Sequence, residues 1–454
     1  MTGSARIVRG NALALPLGDS IVDLIVTSPP YFGLRSYQDG GEHYDGQLGS
    51  EATPAEFVDA LIAATAEMVR VLKPSGSIWV NLGDKYAGGG NGPQGSGGVV
   101  ASSDYGNRSR QPTAEERRAA MGSTRPKSLI GIPWRYAIRC IDDLGLILRA
   151  EVIWSKPNGL PESVTDRVRR SHETWFHFTK EPRYFSAVDE IREEHTTTGR
   201  VSGKGSGQRL GSVMLAPQTL LDDQQYNPLG KLPGSVWTIP TQPLTVPAHL
   251  GVDHFAAFPM EWPRRIILGW SPVGVCTACG EGRRPVSVRD PIDPRFLASS
   301  NKLNDRGHVA LRGVAESSIL RTGLQAGQSP PTRITGYACA CPAPTVEREI
   351  REFDHHSGEM VTRVVEVSDP TWQPIAPTTP AVVLDPFGGT GTSALVASVL
   401  GRHGISVDMS ADYCRLAEWR TTDPDQIARA MQVDKPARQV DGQADLFDYL
   451  EETP

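Results

Sequence analysis

Apolar positions along the chain alternate between short continuous runs and helical spacing. Residues 21–26 and residues 77–82 form nearly continuous apolar runs, which predict strands that are covered on both faces. Between these runs, residues 54–72 place their apolar side chains at helical spacing, and the Lys-Pro-Ser-Gly sequence at residues 73–76 predicts the end of that helix. A strand, a helix and a second strand in this order are typical of a parallel sheet in an α/β protein.

The same patterns continue along the chain with three interruptions. Residues 87–127 are rich in Gly, Ser and Arg, and they predict either a lid over DNA or a disordered loop. Residues 185–250 are polar and weakly periodic, so we assign them to a target-recognition region, and residues 423–454 are assigned to an acidic tail. Four further helices are predicted, over residues 130–144, within 255–268, and over 393–400 and 411–420. Strands are predicted over 382–384 and 404–407, and an antiparallel pair at the edge of the sheet over 146–154 and 174–178.

Length and charge narrow the class of protein. A chain of 454 residues has room for two or three domains. Its formal net charge of −6 argues against a protein that coats nucleic acid without sequence preference, and it leaves room for a local basic cleft. The sequence has no run of eighteen uncharged apolar residues, and its first residues lack the apolar core of a secretory signal. We therefore expect a cytoplasmic protein without membrane contact.

The sequence Thr27-Ser28-Pro29-Pro30-Tyr31 directly follows the first buried run. Its two prolines stop the strand, because neither has an N–H for a sheet ladder, and they leave a rigid loop at a strand end, where open α/β sheets bind ligands. Ser28 and the carbonyl of Pro29 can accept the protons of an amino group, and Tyr31 offers an aromatic face. The stretch therefore predicts a site for a planar molecule with an NH2 group, such as a nucleobase. A proline-capped strand end with a buried Ser and Tyr is the alternative.

A glycine-rich loop over residues 385–392, with the sequence DPFGGTGT, lies between a predicted strand and a predicted helix. Gly389 and Gly391 let the backbone approach a ligand that a Cβ would hold off. Asp408 ends the next strand, where a carboxylate can accept hydrogen bonds from both hydroxyls of a ribose. Because no Gly-Lys-Ser/Thr follows to bind phosphate, a cationic nucleoside cofactor such as S-adenosylmethionine fits better, with Asp385 nearby. A tight turn with a surface aspartate is the alternative.

Four of the six cysteines, Cys276, Cys279, Cys339 and Cys341, form two closely spaced pairs. In a reducing compartment this clustering indicates metal binding rather than disulfides. Four thiolates can close a tetrahedral zinc site, which predicts a zinc-ribbon-like insert over residues 271–345. Reduced thiols without a metal are the alternative.

Together these stretches resemble the DNA amino-methyltransferases, in the beta arrangement in which the catalytic loop precedes the cofactor loop. Residues 27–31 are similar to the catalytic motif of that family, and residues 385–392 are similar to its S-adenosylmethionine motif. The resemblance implies a circularly permuted, Rossmann-like α/β methyltransferase fold with a mixed seven-stranded sheet, whose strands encoded last adjoin those encoded first. It covers most of the catalytic core and includes further stretches at residues 71–86, 130–138, 153–163, 171–180 and 258–267.

The resemblance also implies a role for each motif residue. Ser28, Pro29, Pro30 and Tyr31 would form the catalytic loop, with Tyr31 stacked on a base that is flipped out of the duplex. Asn11 stands where relatives usually carry Asp, and its amide can still bind the adenine of the cofactor. Asp385 would lie near the amino-acid end of the cofactor, Phe387 beside it and Asp408 on its ribose. The full cofactor-binding set is Asn11, Thr27, Asp385, Pro386, Phe387, Gly389, Gly391, Thr392 and Asp408.

The implied function is methyl transfer from S-adenosylmethionine to an exocyclic amine of double-stranded DNA. Ser28 at the first motif position favours cytosine N4 by a tendency within the family, and adenine N6 is the alternative. A non-catalytic DNA-binding protein on a methyltransferase scaffold, and an enzyme that acts on amines of RNA or protein, are the competing hypotheses.

The resemblance divides the chain between catalysis and cofactor binding. It implies a catalytic half over residues 1–184, a core helix over 251–270 and a cofactor half over 375–422. Residues Gln443–Phe447 resemble the short peptide by which bacterial replication proteins bind the sliding clamp, and a chance match in a disordered tail is the alternative.

Overall fold

The chain divides into two compact units. The core unit comprises Met1–Phe185, Ser235–Val275 and Thr378–Pro454, and the insert unit comprises Ser186–Gly234 and Cys276–Pro377. The computed structural model describes residues 3–33, 38–39, 42–43, 46–87, 124–159, 161–194, 229–252, 257–289, 332–341, 345–354, 359–368 and 376–434. Outside these residues lie most of the predicted loop 87–127, the middle of the predicted recognition region 185–250 and the predicted clamp peptide Gln443–Phe447.

An eight-stranded mixed sheet forms the centre of the core unit. In chain order its strands are β1 Ser4–Arg9, β2 Val22–Thr27, β3 Leu72–Leu82, β4 Ile147–Ser155, β5 His172–Thr179, β6 Val236–Thr238, β7 Val382–Asp385 and β8 His403–Asp408. Their spatial order is β1-β8-β7-β2-β3-β5-β4-β6. Neighbouring strands are parallel except at β5, which is antiparallel to both β3 and β4. The strands encoded last, β7 and β8, lie between β1 and β2, so the permuted α/β methyltransferase order that the resemblance implies is confirmed.

The sheet has one strand more than the seven expected, because β6 pairs in parallel with the end of β4. Its central residue, Trp237, is buried against Trp262, with ring centroids 5.0 Å apart. Residues from Ser235 onward, which the sequence pattern assigned to the recognition region, therefore belong to the core unit. A three-residue strand is too short to show a period in the sequence. The predicted antiparallel pair of β4 and β5 is present, but β6 takes the edge position.

Six α-helices of the described residues cover the sheet. They are α1 Pro54–Val71, α2 Ile132–Asp142, α3 Glu261–Trp270, α4 Thr392–Val399, α5 Ala411–Thr422 and α6 Pro424–Met431. Helix α1 begins with a capping box, in which Thr53 and Glu56 each accept a hydrogen bond from the other's backbone N–H. None of the described helices is long and apolar enough to cross a membrane.

Helix α6 lies in the segment for which the sequence pattern predicted an acidic tail from residue 423. Asp423 caps this helix by accepting a hydrogen bond from the N–H of Gln426, and Pro424 occupies its first turn. Ala428 and Ala430 are buried. The prediction of a tail from residue 423 was wrong for these residues, because small alanines give a weak apolar signal although they pack well.

The core lies on both faces of the sheet, as the continuous apolar runs predicted. All residues of β2 are buried. On β3, Ile78 and Val80 join the cluster formed with α1, whereas Trp79 points to the opposite face. There the Trp79 ring packs against the ring of Trp270 from α3, with centroids 4.6 Å apart.

The insert unit consists of two hairpins and shorter elements. Arg284–Arg289 pairs antiparallel with Thr332–Ala338, and Thr345–Asp354 pairs antiparallel with Glu359–Ser368. The second hairpin lies directly after the predicted insert over residues 271–345, in a stretch for which the sequence pattern predicted no strand. Its many charged residues conceal the apolar alternation of a strand. Among the described residues, the shorter elements are the 3-10 turns Val188–Ile191 and Ala248–Leu250 and the two-residue strands Gln38–Asp39, Glu42–His43, Val275–Cys276 and Thr378–Thr379.

Candidate active site

A cavity of about 710 Å³ opens in the core unit at the carboxyl ends of the parallel strands. Five strand ends contribute to its lining, which is expected of a ligand site in an open α/β sheet. The lining includes Asn11 after β1, Ser28–Tyr31 after β2, Asn81 in β3, Pro386–Thr392 without Gly391 after β7, and Asp408 at the end of β8. We call the part around Ser28–Tyr31, Asn81, Lys156 and Glu173 the proline end, and the part around Asn11, Pro386–Thr392 and Asp408 the glycine end.

A buried carboxylate joins the two ends of the cavity. The hydroxyl of Thr27 donates to Asp385 Oδ1 at 2.6 Å, although the two residues are 358 positions apart. Ser393 donates to Asp385 Oδ2 at 2.9 Å and to the carbonyl of Val26 at 3.1 Å, and the N–H of Phe387 donates to Asp385 Oδ1 at 3.2 Å. The proline loop and the glycine loop are therefore held against each other by their own hydrogen bonds.

Asp385 and Thr27 lie behind the glycine loop and are not part of the cavity lining. Asp385 is 1% exposed, and burial raises the pKa of its carboxyl to about 6. Four protein hydrogen bonds already occupy this region, so neither side chain directly faces the space where a ligand would lie. The family resemblance placed both residues in the cofactor-binding set. The sequence alone does not show whether such a side chain points toward the cavity or into the core.

The glycine end is shaped by close backbone packing. A Cβ on Gly388 would meet Ser406 Oγ at 1.8 Å, and Gly391 has a φ of +71° beside Ala417. The N–H of Gly389 donates to Asp408 Oδ2 at 2.8 Å, and Ser410 N–H donates to Asp408 Oδ1 at 2.9 Å. These bonds hold the carboxylate of Asp408 at the edge of the cavity, where it can still accept hydrogen bonds along its other lone pairs.

A network of polar side chains at the proline end was not predicted from the sequence. The Tyr31 hydroxyl donates to Glu173 Oε2 at 2.8 Å, and the Asn81 amide donates to both, at 3.1 and 3.2 Å. Lys156 forms an ion pair with the other oxygen of Glu173. A Cβ on Gly83 would meet Tyr31 Cε2 at 2.6 Å, so the tyrosine ring packs directly over the glycine backbone. Together these contacts fix the orientation of the Tyr31 ring.

A signal for this network was present in the sequence. Glu173 lies at the start of β5, and the start of an antiparallel strand lies at the same edge as the ends of its parallel neighbours. Lys156 directly follows β4. Both residues belong to stretches that carry the family resemblance, and an antiparallel position for β5 places them beside Tyr31.

Basic side chains also line the cavity. Lys85 is half-buried, with its Nζ 5.2 Å from the centroid of the Phe32 ring, and burial lowers the pKa of its ammonium group. Arg170 donates to the backbone carbonyl of Asp84. Cationic side chains at this rim attract a phosphate backbone, although the protein as a whole has a negative net charge.

The four clustered cysteines lie together in the insert unit. Their four Sγ atoms lie within 4.8 Å of one another, and the Sγ atoms of Cys276 and Cys341 are 3.6 Å apart. Backbone hydrogen bonds from Cys279 and Ala278 lower the pKa of the Cys276 thiol to about 6. Zinc–sulfur bonds of about 2.3 Å place the thiolates of a tetrahedral site just under 4 Å apart, so the observed cluster has the size of a zinc site.

Comparison with known proteins agrees with this architecture. The family model described as DNA methylase, for N6 and N4 methyltransferases, matches residues 22–276 and 358–419. The matched residues make up more than half of the chain, which therefore belongs to this DNA methylase family. The match leaves out residues 277–357, which lie within the insert unit.

Individual relatives extend the comparison. Type II methyltransferase M.Cfr9I of Citrobacter freundii is 34% identical over 274 residues, which are 60% of this chain and 74% of the relative. Type II methyltransferase M.SmaI of Serratia marcescens is 32% identical over 273 residues, which are 60% of this chain and 77% of the relative. The solved structure of the PvuII DNA methyltransferase (cytosine-N4-specific) overlaps with a TM-score of 0.45 at 16% identity, covering 95% of each chain, and this score is too low to support an inference.

Family membership settles the general activity. The chain is an S-adenosylmethionine-dependent DNA methyltransferase of the N6 and N4 family, and DNA is its substrate.

Proposed function

We propose that this enzyme transfers a methyl group to the exocyclic amine of a base flipped out of duplex DNA, and that the base is cytosine, modified at N4. The observation that carries the proposal is a single cavity lined both by Ser28–Tyr31 and by residues of the glycine loop, Pro386–Thr390 and Thr392. An amine inside a duplex cannot align with the methyl donor, so the base has to leave the helix before transfer.

In this proposal Ser28 and Pro29 act on the amine at the proline end. The amine lone pair is delocalised into the base, which makes the nitrogen a poor nucleophile. Hydrogen bonds from the amine to Ser28 Oγ and to the Pro29 carbonyl favour a pyramidal nitrogen with an available lone pair. When bound, S-adenosylmethionine would supply an electrophilic methyl group, and its sulfur would keep the electron pair of the carbon–sulfur bond. The proton that the amine nitrogen loses on methylation would pass from its hydrogen bond with Ser28 or the Pro29 carbonyl to solvent water.

Tyr31 provides the stacking surface for the extruded base in this proposal. Its ring is held by Gly83 beneath it and by the hydrogen bonds of its hydroxyl with Glu173 and Asn81. A ring fixed before the base arrives loses less conformational freedom on binding. Pro30 stiffens the loop between the two functional positions.

At the glycine end, the proposed contacts are to the nucleoside part of the cofactor. Asp408 accepts hydrogen bonds from the ribose, and Asn11 binds the adenine edge. Phe387 lies beside the cofactor, and Gly389 lets the cofactor approach the backbone because a glycine has no Cβ. The buried carboxylate of Asp385 acts from behind the loop, through its negative charge and through the hydrogen bonds that shape the loop.

Cytosine is favoured over adenine because the catalytic motif begins with Ser28, which by the tendency that the family resemblance implies favours cytosine N4. Adenine N6 is the second candidate, because the same hydrogen bonds suit its amine. The names of the two relatives also support a role in a type II modification system. A scaffold that binds DNA without turnover is the competing class.

Labelled methyl transfer tests the proposal. The full chain is incubated with duplex DNA and S-adenosylmethionine labelled on the methyl group, and the DNA is then hydrolysed to nucleosides. We expect the label in N4-methylcytosine. Label in N6-methyladenine would change the proposed target base from cytosine to adenine. Label in 5-methylcytosine would contradict methyl transfer to an amine, and unlabelled DNA would favour a scaffold that binds DNA without turnover.

We also propose that Cys276, Cys279, Cys339 and Cys341 bind a structural zinc ion. The support is their clustering within 4.8 Å, with Gly280 at a φ of +72° completing the turn after the first pair. Four thiolate ligands leave no open position on zinc, so a role in folding suits this set better than a catalytic one.

Metal analysis tests the zinc proposal. We expect one zinc ion per purified chain, and we expect Cys339→Ser to lose it while S-adenosylmethionine binding by the core unit persists. Cys414→Ser, at a buried cysteine outside the cluster, is the matched control and should retain zinc. A metal-free wild-type protein that is fully folded and active would contradict the proposal.

A further inference from the structure

Arg420 is a buried cation directly beneath the glycine loop. It lies on α5, is 3% exposed, and its Nη1 donates to Thr390 Oγ1 at 2.5 Å and to Thr392 Oγ1 at 2.6 Å. Both threonines line the cavity at its glycine end. A charged group is thus connected to the cavity through two hydroxyl groups.

The guanidinium of Arg420 lacks the partner that a buried arginine usually has. Among the described residues no carboxylate forms an ion pair with it, and its Nε–H has no hydrogen-bond acceptor. Burial lowers the pKa of Arg420 to about 10, so the group remains charged at neutral pH. Arg70 of the same unit, whose side chain is only partly buried, pairs with both Glu67 and Asp19. Removing a guanidinium from water without a counter-charge costs free energy, which a bound anion would offset.

The hydrogen-bond directions leave the pair of threonines with one donor for the cavity. Each hydroxyl oxygen accepts a hydrogen bond from Arg420, and the two oxygens are 3.2 Å apart, so one hydroxyl donates to the other. One hydroxyl proton is left over for a ligand. Thr392 is also the first residue of α4, whose N-cap Gly391 offers no side-chain acceptor to the first turn. The N–H groups of that turn are further hydrogen-bond donors, and like the buried cation they favour an anionic ligand.

We propose that Arg420 is a positioning residue for the carboxylate of S-adenosylmethionine, acting through the hydroxyls of Thr390 and Thr392. This inference rests on the proposed assignment of the glycine end as the cofactor site. The carboxylate is the anionic group of that cofactor, and it accepts the one hydroxyl proton that the threonine pair has left, on a pair of hydroxyls that the buried charge polarises. Its placement fixes the direction in which the rest of the cofactor extends along the cavity.

Binding measurements with two cofactor forms test the inference. Titration calorimetry compares S-adenosylmethionine with decarboxylated S-adenosylmethionine, which keeps the sulfonium and the nucleoside but lacks the carboxylate. We expect the wild-type protein to bind the decarboxylated form about tenfold more weakly. Arg420→Met should weaken S-adenosylmethionine by about tenfold and leave the decarboxylated form unchanged. Arg415→Met, an exposed arginine on the same helix paired with Asp412, is the control and should change neither affinity.

The outcomes separate this role from a purely structural one. Equal weakening of both ligands by Arg420→Met would show that Arg420 only holds the loop in shape, and equal affinity of the wild-type protein for both ligands would overturn the inference by itself. If Arg420→Met does not fold, Arg420→Lys decides: a smaller loss confined to S-adenosylmethionine supports the inference, and a loss shared by both ligands contradicts it. Failure of the wild-type protein to bind either ligand would instead refute the assignment of the cofactor site.

Discussion

At the proline end of the cavity an ion pair lies at the lining itself, whereas at the glycine end two charged side chains besides Asp408 lie buried behind the loop. Glu173 and Lys156 have side chains 17% and 18% exposed. Asp385 and Arg420 are 1% and 3% exposed. Substitutions at the two ends should therefore have different effects on activity and on folding. A substitution at the proline end should change the reaction and leave folding intact, and a substitution behind the glycine loop should change folding and cofactor binding together.

The largest effect is expected at Ser28. Ser28→Ala removes one acceptor for the amine protons, so we expect the rate of methyl transfer at saturating substrates to fall by about 10² to 10³. The midpoint of thermal unfolding and the affinity for S-adenosylmethionine should stay as they are in the wild-type protein. Initial rates with labelled cofactor measure the first effect, and Ser128→Ala, outside the cavity, is the control. A fully active Ser28→Ala enzyme would move the catalytic site elsewhere.

Behind the glycine loop, Asp385→Asn should change the pH dependence of stability. The pKa of Asp385 in the folded protein is about 6, above its ordinary value of 3.8, so its contribution to stability is complete below about pH 4 and is lost as the pH rises through 6. Asparagine can keep the hydrogen bonds of Thr27 and Phe387 and donate to Ser393. Relative to wild type, the free energy of unfolding of the variant should therefore rise by up to about 3 kcal/mol between pH 4 and pH 7.

Denaturant unfolding at several pH values measures this change. Asp423→Asn, at the cap of α6 and outside the cavity, is a control for the loss of a carboxylate elsewhere in the core unit. Since the negative charge beneath the loop is lost, the affinity of Asp385→Asn for the cationic cofactor should also decrease. A difference in stability that does not vary with pH would contradict the buried, high-pKa state of Asp385.

A smaller effect is expected from Gly83→Ala. The new Cβ would lie 2.6 Å from Tyr31 Cε2, so the ring has to turn out of its position over the backbone. We expect about a tenfold lower rate of transfer with unchanged cofactor affinity, because only the stacking surface is displaced. Gly234→Ala is the control, since an added Cβ there has no atom within 4 Å. Equal rates in both variants would mean that Tyr31 does not need its fixed orientation.

The smallest effect is expected at the basic rim. Lys85→Gln should weaken binding of duplex DNA by a factor of about three and reduce the slope of log affinity against log salt by about one. Lys127→Gln, which lies outside the cavity and pairs with Asp166, should leave both quantities unchanged. Fluorescence anisotropy at several salt concentrations distinguishes the two variants, and an unchanged slope for Lys85→Gln would remove it from the DNA contacts.

Long, fully buried strands were predictable from the sequence, and contacts between distant segments were only partly so. The apolar runs of β2 and β3 predicted their burial on both faces, and the order of the two loops predicted the permutation. The three-residue strand β6 and the alanine-rich helix α6 were missed, because neither shows a clear period. The charged strands of Thr345–Asp354 and its partner concealed their alternation.

The site shows the same limit. The residues of the proline loop were predicted, because two prolines after a buried strand constrain the backbone strongly. Glu173 and Arg420 were missed, because their importance depends on which strand and which loop lie next to them. Asp385 and Thr27, which the family resemblance placed in the cofactor-binding set, join the two loops through hydrogen bonds behind the cavity lining, and their contact with the cofactor stays a prediction. Sequence patterns predict local backbone well, whereas the direction of a buried polar side chain depends on packing.

A crystal structure with S-adenosylhomocysteine bound tests the central claim most directly, namely that two distant segments form one site for the donor and the acceptor. We predict the ribose on Asp408, the carboxylate near Thr390 and Thr392, and the sulfur turned toward Ser28 and Pro29. A ligand bound outside this cavity, or one whose sulfur points away from the proline end, would contradict it.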